Sequence, residues 1–171
     1  LEEEIKYVYF QDTIDNNTVS ELVDKISSCT SKINLYFSTE GGLTNPMFFL
    51  IDYLNSIKDR VTVTLTDEVL SAGTFILAYF EGKIKIDKNL DIVMFHVADR
   101  LGYRFRKEQG GIDLKELDKQ TRKSNKEFID IIKNKGLISE KQYKEYLKGK
   151  DVFIYPKQFL KWNIGNIKVK K

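Results

Sequence analysis

From residue 5 to residue 95 the chain alternates short β-branched or aromatic runs with segments of helical spacing. A chain so patterned has few ways to bury its apolar surface. Ile5 to Phe10 reads as a first strand, and Asp15-Asn16-Asn17-Thr18 supplies helix caps. Val19, Leu22, Val23 and Ile26 then repeat at i, i+3, i+4 and i+7, one buried helix face. Ile33 to Phe37 is an apolar run closed by the turn signal Ser38-Thr39-Glu40-Gly41-Gly42. Asn45-Pro46 opens a second helix, with proline suited to a first helical position, and Met47, Leu50, Ile51, Leu54 and Ile57 form its stripe. Val61 to Thr66 alternates strictly and is β-branched, which predicts a strand. Ser71 to Phe80 predicts a buried helix, and Lys83 to Ile86 and Asp91 to Phe95 predict two further short strands. Helical crossovers between strands imply an α/β fold with a right-handed, largely parallel sheet covered by helices.

After His96 the texture changes. Residues 97–112 carry Arg100, Arg104, Arg106, Lys107 and Gly110-Gly111, the composition of an exposed excursion. Asp113-Leu114-Lys115-Glu116 has the form of a capping box for a helix reaching about residue 134, before Gly136. Asp118 to Glu127 holds no large apolar residue, so that stretch is expected in solvent or against a partner. Ser139 to Gln142 is a second capping box; Asp151 to Tyr155 is strand-like; Pro156 to Trp162 predicts a last helix closed by Gly165. The reading is one domain over 1–171, with a core at about 5–96 and 137–168 and a protruding handle at about 97–136.

Charge narrows the partners. Residues 1–97 carry a net −7, residues 98–150 a net +6 and residues 151–171 a net +4. The basic residues alternate with acids and with few aromatics, so no nucleic acid is expected as a partner. The apolar runs Met47–Ile51 and Phe75–Phe80 are too short to cross a bilayer, so no membrane partner is expected. One cysteine, Cys29, and one histidine, His96, exclude a disulfide framework and leave too few ligands for a Cys/His zinc site, so no metal or other cofactor is expected. The lack of disulfides predicts a reducing, cytoplasmic setting, and the start shows no charged-then-apolar leader.

Three features converge on one end of the sheet. Ser71 falls between a strand and a buried helix, where a hydroxyl can attack a carbonyl while a nearby backbone N–H holds the oxyanion. His96 follows the apolar strand Ile92-Val93-Met94-Phe95, and Gly41-Gly42 follows another strand. All three lie at strand carboxyl ends, where open α/β sheets bind ligands. Each alone has a plainer reading. Ser71 can be a small residue that permits tight helix packing, His96 a hydrogen-bonded structural residue, and the glycine pair only a turn. The Gly-x-Ser-x-Gly elbow is incomplete, with Val69 at its first position and Gly73 at its last.

Taken together, Ser38-Thr39-Glu40-Gly41-Gly42, Leu70-Ser71-Ala72-Gly73 and Val93-Met94-Phe95-His96 resemble the Clp protease proteolytic subunit family. Its members carry Asn-Ser-Pro-Gly-Gly, Ala-Ala-Ser-Met-Gly and Met-Ile-His segments at similar spacing. The steps here are 29 residues from Gly42 to Ser71 and 25 from Ser71 to His96. The resemblance runs from about Tyr7 to Ile167. It implies the spiral of β-α units shared with crotonases, and a serine endopeptidase with a Ser-His-Asp triad. Ser71 matches the nucleophile, His96 the general base and Asp151 the aspartate, with Asp91 and Asp99 as second choices. By the same matching the Gly42 and Ala72 amides form the oxyanion hole, and Gly41 and Gly42 border an extended peptide or unfolded-protein substrate. A homo-oligomeric ring and an AAA+ unfoldase partner are further implications. The chain departs from the family pattern at Glu40, in place of proline, at Asp67 and Glu68 ahead of the serine, and at Gly149-Lys150, in place of an Asp-Arg pair tied to ring stacking. Two alternatives stay open: a catalytically impaired scaffold of this fold, and a crotonase-like enzyme acting on acyl-CoA.

Overall fold

The computed structural model describes residues 4–98 and 117–169. Its frame is a run of parallel strands, β1 (Ile5–Gln11), β2 (Lys32–Thr39), β3 (Val61–Leu70) and β4 (Lys83–Phe95), hydrogen-bonded in that order. Helices α1 (Asn16–Ser27), α2 (Thr44–Ser56) and α3 (Phe75–Tyr79) connect them. Each helix turns one apolar stripe to the sheet. Val19, Leu22 and Ile26 of α1 and Met47, Leu50, Ile51 and Leu54 of α2 are buried, as are Ile33, Leu35 and Phe37 of β2 and Val61, Val63 and Leu65 of β3. Each such side chain contributes roughly 1.5–3 kcal/mol when withdrawn from water. Local signals and burial agree here: Asp15 accepts from the Asn17 and Thr18 backbone N–H groups, and the Thr18 side chain closes the box.

Strand β4 differs from the expectation. The two strands read at 83–86 and 91–95 are one strand of 13 residues. Asp87-Lys88-Asn89 has the composition of a turn, and the ladder skips it: Leu65 pairs with Ile86 and Asp67 with Leu90, so β4 takes up the extra residues as a bulge, with register shifts on either side of Asp67, and continues. Asp67 takes φ +54°, a left-handed conformation that aspartate tolerates better than most residues. The extra length lets β4 serve two neighbours on its other edge. Ile84–Ile86 pair in parallel with β7 (Ile167–Val169), and Val93–Phe95 pair antiparallel with β5 (Val152–Ile154). With β6 (Asn163–Ile164) on β7, seven strands form one mixed, mostly parallel sheet among the described residues, so the fold class is α/β.

Three further elements depart from the pattern reading. Ser71–Thr74 is a 3-10 turn and only Phe75–Tyr79 is α-helical. The last helix, α6 (Pro156–Phe159), stops early, and Gly165, with φ +54°, turns the β6–β7 hairpin instead of closing a helix. Helix α4 (Lys119–Asn134) opens at Asp118, whose carboxylate accepts from Gln120 and Thr121; the Asp113–Glu116 box lies outside the described residues. Residues 99–116 of the expected handle lie there too. The described remainder buries Phe128, Ile129 and Ile132, and within Asp118–Glu127, expected in solvent or against a partner, Thr121 and Asn125 are buried. Helix α5 (Glu140–Leu147) carries the expected capping box between Ser139 and Gln142. No helix among the described residues is long and apolar enough to cross a membrane.

Candidate active site

Strands β3 and β4 end within one residue of each other, Leu70 opposite Met94 and Phe95 one residue beyond. The ladder therefore sets the residues just beyond, Ser71 and His96, side by side. Ser71 sits at the corner between β3 and the 3-10 turn with φ +55°. For a residue with a Cβ that conformation costs roughly 1–2 kcal/mol. The corner is held by the Thr74 hydroxyl, which donates to the Ser71 carbonyl at 2.6 Å. It also thrusts the Ser71 hydroxyl off the end of the sheet, as a nucleophile elbow does. There it is in hydrogen-bond contact with His96 Nε2.

Asp151 reaches the other face of the imidazole by a different route. Val152 pairs with Phe95, so the residue before β5 stands opposite the residue after β4. Asp151 Oδ1 lies 3.9 Å from His96 Nδ1, an ion-pair separation longer than a hydrogen bond. Both side chains are largely sheltered, 19% exposed for His96 and 27% for Asp151. The three sequence-matched residues are thus gathered in the expected order, with the first contact closed and the second one short step from closing. Of the second choices, Asp91 is exposed and lines a separate hollow, and Asp99 lies outside the described residues.

The glycine pair does more than turn the chain. Gly41 has φ +105°, and a Cβ placed on it would lie 2.6 Å from Ser71 Cβ and 2.9 Å from the Leu70 carbonyl oxygen. Only glycine lets this strand pass so close to the serine. Gly42 has φ +145°, and a Cβ there would collide with the Ile14 carbonyl. Ile14 straps the pair in place: its N–H donates to Gly41 O at 2.8 Å and its carbonyl accepts from Leu43 N–H at 2.8 Å. In such a parallel bridge the N–H of Gly42 points away from Ile14. No acceptor among the described residues takes it. Ala72, the second residue of the 3-10 turn, is buried, and the first N–H groups of a helical turn have no partner within it. Gly42 follows the glycine that packs against Ser71, and Ala72 follows Ser71 in the chain, so both residues expected to line an oxyanion hole adjoin the serine.

Two hollows border this end of the sheet. One, of about 480 Å³, has Phe48, Phe75, Tyr79 and Phe128 in its wall. Phe75 lies 4.9 Å edge-to-face from Phe128 and 5.1 Å from Phe48 between ring centroids. Ala98, two residues after His96, and Phe75, four after Ser71, both line it, so the segments that follow the serine and the histidine share its wall. Burial, with the Glu127 charge added, pushes the Tyr79 phenol up and keeps it neutral. The other hollow, about 520 Å³, is lined by Asp12, Glu40, Asp67, Glu68 and Asp91 with Ser38 and Thr39. Five carboxylates give it a negative field. No group of three or more His, Cys, Asp or Glu side chains among the described residues is placed to hold a metal ion.

The supporting roles of three residues come from the structure and not from the sequence pattern. Ile14 falls between the first strand and the cap residues and carries no pattern signal, and Asn125 lies in the stretch expected in solvent or against a partner. Gly73 was visible only as a motif position, yet a Cβ there would strike Thr39 Cγ2, so its smallness lets the 3-10 turn rest on the end of β2. No family model matches this chain, and no curated protein is similar enough to be counted as a relative.

Proposed function

We propose that this chain is a serine-type endopeptidase subunit of the Clp type. The observation that carries the reading is the Ser71 hydroxyl on His96 Nε2 at a left-handed strand-to-turn corner, with a carboxylate 3.9 Å from the other imidazole nitrogen. In this reading Ser71 Oγ attacks a peptide carbonyl carbon while its proton passes to His96 Nε2. The Gly42 and Ala72 N–H groups hold the oxyanion, and one such donor is worth about 3 kcal/mol in the transition state. The amine leaves with the proton from Nε2. Water, deprotonated by the same nitrogen, then releases the acid and restores Ser71. Asp151 sets the tautomer and stabilises the imidazolium. The substrate lies extended beside Gly41 and Gly42, and the aromatic hollow accepts a large apolar side chain next to the scissile bond. A homo-oligomeric ring, an AAA+ unfoldase partner and a cytoplasmic setting belong to the same proposal; sedimentation velocity tests the ring.

A fluorophosphonate probe tests the chemistry. Labelling confined to Ser71 and lost in His96→Ala is the expected result. A folded protein that refuses the probe leaves the non-catalytic scaffold, which the acids at 67 and 68 and the open Asp151 contact favour. Saturable binding of acyl-CoA without labelling sinks the peptidase in favour of a crotonase-like enzyme.

A further inference from the structure

His96 is where the chain leaves its sheet. Phe95 is the last residue of β4 and still pairs with Val152, whereas His96 and the two residues after it belong to no strand. What holds that departing segment is a side chain from α4. The Asn125 carboxamide accepts the Ala98 N–H at 2.8 Å and donates to the Ala98 carbonyl at 2.7 Å. In an extended strand the N–H and C=O of one residue point to the same side. One carboxamide therefore does for Ala98 what a neighbouring strand would do, and prolongs by one anchor the pairing that β5 gives up to Phe95. His96 is left tethered on both sides, at Phe95 one residue behind it and at Ala98 two residues ahead.

The rest of the carboxamide is used as fully. Its Nδ2 also donates to Thr121 O at 2.9 Å, and its Oδ1 also accepts from the Tyr146 hydroxyl at 2.9 Å. Two donors meet the oxygen and two carbonyls meet the nitrogen, which fixes the orientation of the amide and fills its normal complement of four hydrogen bonds. Asn125 is 5% exposed and Tyr146 is fully buried. Asn125 borders the aromatic hollow, but no hydrogen-bonding capacity remains for a substrate. It cannot be a catalytic or a recognition residue in the direct sense.

We infer that Asn125 is a positioning residue for His96: by clamping both backbone groups of Ala98 it fixes the backbone from which the imidazole reaches Ser71. The inference deepens the peptidase reading and rests on it for rates. The clamp itself can be observed whether or not Ser71 reacts, because His96 is the only histidine in the chain and its imidazole gives the only histidine side-chain NMR signals.

The experiment compares wild type, Asn125→Ala and Tyr146→Phe, each as the full chain. Tyr146→Phe deletes one buried hydrogen bond of the same network but leaves both bonds to Ala98. In Asn125→Ala the single sharp set of imidazole resonances should broaden or double and the Ala98 amide should lose hydrogen-exchange protection. Fluorophosphonate labelling should slow about ten- to hundredfold, the scale of a misplaced catalytic group. Tyr146→Phe should keep the wild-type imidazole spectrum and label within about threefold of wild type, even where its melting temperature falls as far. A folded Asn125→Ala with wild-type imidazole signals and labelling overturns the inference. So does an Ala98 amide that exchanges without protection in the wild type, a measurement that needs no variant. If wild type itself refuses the probe, the peptidase reading fails, and the NMR comparison still decides whether Asn125 fixes His96.

Discussion

On its Nε2 side the His96 imidazole meets a hydroxyl delivered by the neighbouring parallel strand; on its Nδ1 side it faces a carboxylate delivered by a short antiparallel strand that follows α4 and α5. The first contact is fixed by the long β3–β4 ladder, by the Thr74 bond to the Ser71 carbonyl and by the passage of Gly41 against the serine. The second rests on three paired residues, Val152 to Ile154. The hydroxyl contact is closed and the carboxylate stands at 3.9 Å. A site can hold one hydrogen bond rigidly and leave its partner to tighten when substrate arrives, and resting-state catalytic contacts are often long for that reason.

The largest effect should come from breaking the rigid side. Ser71→Ala should lower peptide hydrolysis by at least about a thousandfold, read by a quenched fluorescent peptide, with assembly unchanged in sedimentation. Asp151→Asn sharpens the comparison from the loose side. Where the carboxylate–imidazole bond is fully formed, this change costs roughly 10⁴-fold in kcat. Under the peptidase reading the expected loss here is about 10²-fold, and a loss equal to that of Ser71→Ala would show that the two sides are equally tight during turnover. Gly41→Ala forces a methyl group toward Ser71 Cβ at a positive φ. It should reduce kcat roughly tenfold or more through the serine's position alone, with little change in the His96 environment by NMR.

Smaller effects concern stability. Ser71→Gly relieves the left-handed corner and should raise stability by about 1 kcal/mol while abolishing turnover. Urea denaturation measures it, and an unchanged midpoint would mean that the corner stores no strain. Asp15 caps α1 directly after Ile14, the residue that straps the glycines. The Thr18 backbone N–H, with that of Asn17, holds the Asp15 carboxyl below its usual 3.8. A lowered folded-state value stabilises the protein above the unfolded value, and this contribution is lost as pH falls through the folded value. The melting temperature should therefore drop more steeply below about pH 4 in wild type than in Asp15→Asn, whose curve should be flatter there.

Much of this architecture was legible because local and tertiary preferences agree. The i, i+3, i+4, i+7 stripes of Val19–Ile26 and Met47–Ile57 and the alternation of Val61–Thr66 say which face is buried before any contact is known. Where the reading failed, a non-local partner outvoted a local signal. Asp87-Lys88-Asn89 looks like a turn, but β4 takes these residues up as a bulge opposite β3, which resumes the ladder at Asp67 and Leu90. Gly165 looks like a helix stop, but pairing of Ile164 with Ile167 makes it a hairpin turn. In the site, Ser71, His96 and the glycines were visible from their places at strand ends. Asp151 was visible only through the family resemblance, because nothing within its own segment says that β5 will align it with β4.

The sequence by itself determined which segments are strands and helices along most of the sheet, and which side chains have the chemistry to attack a carbonyl and move a proton. Those are properties of individual residues and of their spacing over one or two turns. Tertiary structure alone decided that the hydroxyl meets the imidazole, how far away the carboxylate stops, and that an asparagine from α4 grips the backbone beyond the histidine. Each of those depends on register between segments far apart in the chain, which hydrogen-bond ladders and packing set only when the whole sheet closes.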